Sequence, residues 1–193
     1  MANEYFITPS EIKATGYIDE NVDEKYINVA ILISQDLYIL PMIGTGLFNE
    51  LKTQTLAQSW STHNTTLLTT YIQPALKHWV LYEVVEPLTY KFTNKSIVKK
   101  KSENSEVADK DELVRLKDKF RNIAEFYTER MRKYLVANSA TFTLYDNPGS
   151  AADTVFPKRD SFSIGWYLGG SSTGSRIDKL QYPGTYSVDE YGN

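Results

Sequence analysis

The stretch from about residue 22 to 40 constrains this chain more than any other. Tyr26, Ala30, Ile33, Leu37 and Leu40 form one apolar stripe at helical spacing, and Ile27, Ile31 and Tyr38 form a second beside it. The uninterrupted run Val29-Ala30-Ile31-Leu32-Ile33 makes such a helix apolar on nearly every side. A buried strand competes for those five residues, but the flanks continue at the helical period. A helix of this kind is either central in its own domain or sandwiched against another subunit. On the second alternative, Tyr26, Ile27, Ile31 and Tyr38 are the candidate subunit-interface residues.

The neighbouring segments also read as helices. Thr8-Pro9-Ser10-Glu11 is a capping box with proline at the first helical position, and Gly16 stops that short helix. The carboxylates from Asp19 to Glu24 suit the start of the apolar helix. Pro41 is expected to end it, and Gly44-Thr45-Gly46 to make a turn. Thr45 or Gly46 then caps a third helix over about 46–58, with Leu47, Phe48 and Leu51 inward. Ser59 to Thr66 reads as a polar loop. A fourth helix buries Ile72, Ala75, Leu76, Trp79, Val80, Val84 and Leu88, with Pro74 in its first turn or kinking it and Pro87 kinking or ending it. Residues 93–108 lack an apolar period and read as a protruding loop or short hairpin. Over about 109–138, Leu113, Leu116, Phe120, Ile123, Tyr127 and Tyr134 line one helix, with Met131 and Leu135 beside them. Its acids come first and its bases last, as the helix dipole favours.

Composition changes at 141. Seven of the chain's 10 glycines and three of its 7 prolines lie in 141–193. There Phe162, Ile164, Trp166 and Leu168 alternate with smaller or polar residues, a strand pattern. A segment this rich in aromatics, without a core of its own, either folds back on the chain's own helices or finds a groove on another molecule, with Trp166 and Tyr167 as the candidate anchors. The fold class is thus mainly α: a bundle of four to five helices over 1–140, with an extended, partly β C-terminal segment over 141–193.

Few chemistries fit the residues available. None of the 193 residues is cysteine, which removes disulfides, thiolate zinc sites, cysteine nucleophiles and iron–sulfur clusters. No apolar run approaches the ~20 residues of a membrane span, and the start does not read as a signal peptide, so the chain reads as cytosolic where it is made. His63 and His78 lack metal-ligand or triad spacing. Gly169 to Gly174 imitates a phosphate loop but is followed by Ser175-Arg176 where Lys-Ser/Thr is needed. Asp19-x-Asn21-x-Asp23 begins like a calcium loop, but Glu24 replaces its glycine and Ala30 its closing carboxylate. Glu83 and Glu86 could pair as acid and base; the plainer reading pairs them with cations of the 109–138 helix or faces them to a neighbouring subunit. No catalytic, cofactor-binding or metal residue is therefore expected.

Charge is polarised. Residues 1–90 carry 4 Lys/Arg against 10 Asp/Glu, and residues 91–140 carry 13 against 8. Lys91, Lys95, Lys99, Lys100 and Lys101, near Tyr90 and Phe92, could touch nucleic-acid phosphates or dock on an acidic protein rim. A nucleic-acid-binding or regulatory helical module is accordingly the alternative functional class. Against it stands a net charge of −3.

The order of the pieces carries a resemblance. After the Ile-Thr-Pro helix and the apolar helix come Pro-Met-Ile-Gly-Thr-Gly-Leu-Phe-Asn-Glu-Leu (41–51) and Tyr-Ile-Gln-Pro-Ala-Leu-Lys-His-Trp-Val-Leu-Tyr-Glu (71–83). Lys-Phe-Thr-Asn-Lys-Ser-Ile-Val (91–98) and Arg-Asn-Ile-Ala-Glu-Phe-Tyr (121–127) complete the set. Over about 1–140 this resembles the head–tail connector (adaptor) proteins of tailed bacteriophages, particularly the ring proteins of crAss-like phages. The resemblance implies a structural virion protein of the neck, made in the host cytoplasm, with no enzymatic activity. Commonly twelve copies form a ring beneath the portal, joined to the tail or a second ring protein, with the genome passing through. It also implies non-specific proximity to DNA, no membrane partner, and Lys99, Lys100 and Lys101 as partner contacts at a loop tip.

Overall fold

Thr8 opens the first helix, α1 (Pro9–Lys13), with the capping box its sequence spells: the Glu11 carboxylate accepts from the Thr8 N–H at 2.8 Å, and the Thr8 hydroxyl accepts from the Glu11 N–H. The computed structural model describes residues 5–92, 97–99 and 109–159, all within one unit, Met1–Ser161. These residues are mainly α-helical. Lys100, Lys101, Trp166, Tyr167 and the strand expected over 162–168 lie outside the described residues.

Pro41 does not end the apolar helix. Instead α2 (Glu24–Ser34) runs through a π turn, Gln35–Ile39, into α3 (Leu40–Ala57). A proline has no N–H to donate, and its ring crowds the carbonyl four residues back. A widened turn ahead of it relieves that crowding: the Leu40 N–H bonds the Gln35 carbonyl. The same device precedes Pro74. The loop expected over 59–66 is partly helix α4 (Thr62–Thr66), because the Ser61 hydroxyl caps it on the Asn64 N–H. A second π turn, Leu67–Ile72, then leads into α5 (Gln73–Thr89), with the Gln73 N–H on the Leu68 carbonyl. The real break comes at Gly44, whose φ of 79° and ψ of 159° no helix holds.

The central helix is α5, not the one at 22–40. It packs α2 on one side and α6 (Lys110–Ala137) on another, and it buries Ala75, Leu76, Trp79, Val80, Leu81, Val84 and Val85. Trp79 fixes both neighbours. Its indole N–H donates to the Thr128 hydroxyl at 3.0 Å, and its ring stacks on Tyr38 at 3.7 Å. The Asp109–Glu112 capping box starts α6. Its seam runs through Phe120, Ala124, Thr128, Met131 and Leu135, which leaves Leu116 exposed, off the expected stripe. β1 (Tyr90–Phe92) and β2 (Ile97–Lys99) pair antiparallel with Phe92 opposite Ile97; the rest of the loop or hairpin expected over 93–108 lies outside the described residues.

The helical unit takes in the first part of the segment that composition separates at 141. Phe142 and Tyr145 are buried around the short helix α7 (Thr143–Asp146), which packs on α3. Residues 148–158 then cross back over the Gly44 turn as a strap. Thr45 N–H donates to the Val155 carbonyl at 3.0 Å, Val155 N–H to the Thr45 hydroxyl at 2.8 Å, and Lys158 N–H to the Pro41 carbonyl at 2.9 Å. This clasp explains the second glycine: a Cβ on Gly46 would stand 2.9 Å from the Pro148 backbone.

Candidate assembly surface

One face of α2 stays in water. Ile27, Ala30, Ile31 and Ser34 turn inward and are closed from solvent. Val29, Leu32 and Ile33, and Leu37 in the π turn that follows, lie outside at 56%, 40%, 39% and 60% exposure. Single apolar residues on a surface are ordinary, but four along one helical face make a patch. Its rim is acidic: Asp19, Glu20, Asp23 and Glu24 stand exposed ahead of and at the helix start, and Asp36 near its end. The side-chain bond from Lys25, at 2.6 Å, and the Lys25 N–H hold the Asp23 carboxyl below the usual carboxylate range.

This corrects the expected subunit interface. Ile27 and Ile31 belong to the chain's own core, because α5 covers their stripe. Tyr26 packs half-buried against the same core. Tyr38 is half-buried in an aromatic cluster with Trp79 and Tyr82. Burial first, and then its hydrogen bond to Glu83, push the Tyr38 hydroxyl well above its ordinary value. The residues left open were missed, although their signal was present: Val29 and Leu32 belong to the run that overfills a single stripe.

The carboxylates Glu83 and Glu86 are not arranged as an acid–base pair. Glu83 accepts from the Tyr38 hydroxyl at 2.5 Å. Glu86 pairs with Lys117 of α6 at 2.5 Å, and the Lys117 ammonium also lies 4.5 Å from the Tyr82 ring centre. His78 stacks on Tyr127, and burial, then the charge of Lys77, lower its pKa. Among the described residues no three His, Asp or Glu side chains group to hold a metal. A groove of about 420 Å³ lies between the N-terminal segment and the end of α3, lined by Phe6, Ile7, Glu11, Leu56, Trp60 and Leu68 among others. It offers one carboxylate, Glu11, amid mainly apolar, hydroxyl and amide groups.

The span Glu24–Ala57 is, by length and composition alone, long and apolar enough to cross a membrane. Yet it breaks at Gly44, and Ile27, Ile31, Ile39, Ile43, Leu47 and Leu51 along it are all buried in the unit, as in a core helix.

Residues 39–155 match a family of unknown function, DUF6712. The chain belongs to this family. No curated protein and no solved structure matches the chain. The DUF6712 match begins in the first π turn and ends at Val155, so it holds both partners of the Thr45–Val155 clasp. The open face of α2 precedes it.

Proposed function

We propose that this chain is a structural virion protein whose copies close into a ring joining the portal to the tail and lining the DNA channel, with no catalysis of its own. The observation that carries the reading is the apolar face of Val29, Leu32 and Ile33 on α2, with Leu37 in the turn after it, which stays exposed among the described residues on a helix whose other face already fills the chain's own core. A folded helix that remains apolar outside its core is suited to another subunit. The resemblance over 1–140 supplies which assembly this is, and the acidic balance keeps a channel wall from gripping DNA. On this reading Lys99, Lys100 and Lys101 contact the portal or tail partner. The C-terminal segment, with its strand-like alternation from Phe162 to Leu168, reaches a partner through Trp166 and Tyr167.

Electron microscopy of the purified, concentrated chain tests the reading. Closed rings with a central opening, about twelve-fold by the resemblance, are the expected result. Monomers that bind duplex DNA in a salt-dependent way would overturn it in favour of a nucleic-acid-binding helical module.

A further inference from the structure

Resting on the ring reading, we infer that copies meet head to tail: the open face of α2 on one copy seats on the outer face of α6 on the next. α2 and α6 both pack on α5, and each keeps exposed apolar residues on its outer face. A copy with two unlike, complementary faces propagates a heterologous contact, which closes as a ring; a self-complementary patch closes as a pair.

The two faces match in shape class and in charge. On α6, Phe126 stands 65% exposed. Lys119, Arg130 and Lys133 stand near it at helical spacing and are exposed; Glu129, which pairs with Arg132 and Lys133, lies at i+3, so the surround is net basic. The α6 face is thus an apolar knob with a basic rim, whereas the α2 face is an apolar stripe with an acidic one. Opposite rims steer the encounter and fix its register. They also exclude the alternatives: α2 on α2 would set Asp36 and the Asp23–Glu24 end against like charges, and α6 on α6 would set lysine against lysine.

The absence of cysteine makes the test clean, since any disulfide reports an introduced pair. Leu37→Cys and Phe126→Cys are made in separate chains, mixed, and mildly oxidised. A covalent dimer is expected in the mixture and in neither chain alone. Asp36→Lys in the first chain should cut the yield several-fold, and Lys133→Glu in the second should restore it. If either variant fails to fold, Ile33→Cys with Lys133→Cys replaces the pair. Cross-linking of Leu37→Cys with itself overturns the head-to-tail contact while leaving self-assembly intact. Rings by microscopy without a mixed disulfide also overturn it alone, because the contact then lies elsewhere. Monomers with no disulfide under any mixing overturn the ring reading as well. Recruitment of the chain to zwitterionic phospholipid vesicles, lost in Leu37→Asp, would make a lipid surface the occupant and overturn the inference.

Discussion

Ile27 and Ile33 carry the same side chain on the same helix, yet Ile27 is wholly buried and Ile33 is 39% exposed. Neither hydrophobicity nor helix propensity separates them. The difference is made by α5, which covers one side of α2 and leaves the other open. An apolar face declares that it needs a partner; only long-range packing decides whether that partner is the same chain. Burial of the Ile27–Ile31 side contributes to folding. The Val29–Leu37 side is only partly covered and contributes less.

Substitutions on each side should split along this line. Trp79→Ala removes the residue that ties α5 both to Tyr38 and to Thr128, and is expected to cost about 3–5 kcal/mol, read as a lower denaturant midpoint. Ile31→Ala, on the covered face, should cost about 2–5 kcal/mol by the same measurement. A loss under about 0.5 kcal/mol there would erase the distinction between the faces. Gly46→Ala pushes a methyl against the Pro148 backbone and should cost about 1–3 kcal/mol. Limited proteolysis should show faster cleavage after Lys158 or Arg159 as the strap lifts.

His78 sharpens the comparison from the α6 side, where it stacks on Tyr127. Burial, and then Lys77, lower its folded pKa below the ordinary imidazole value of 6.5, so the native state prefers the neutral ring. That stability is present above pH 6.5 and is lost as the pH falls through the lower folded value. Thermal melts across that range should fall with acid in the parent and fall less in His78→Phe. Smallest of all, Leu37→Asp on the open face should change unfolding stability by no more than about 0.5 kcal/mol.

Much of the backbone was legible in the sequence. The Thr8–Glu11 box starts its helix where its spacing says, because capping is decided within one turn, and α6 starts at the acids expected to open it. The Gly44–Gly46 turn was legible as a turn, but its cause was not: the strap that requires close approach comes from Pro148 to Pro157, far along the chain. Pro41 looked like a helix end, whereas Pro74 stands in the first turn of α5, one of the two places expected for it; the widened turns ahead of both leave no mark in composition. The α6 stripe was placed on the right side but rotated, since Ala124 and Thr128 face the core although larger residues lie beside them. The open surface of α2 shared its period with the buried one, and local spacing holds no information about which of two apolar stripes α5 would cover.

The central claim is that the outer face of α2 holds copies together and does little else. Sedimentation equilibrium of the parent chain against Leu37→Asp, each with a matched thermal melt, addresses it directly. The expected result is a parent that assembles with rising concentration and a variant that stays monomeric with an unchanged melting temperature. Equal masses for the two chains at every concentration, or a variant that loses assembly only because it unfolds, would contradict it.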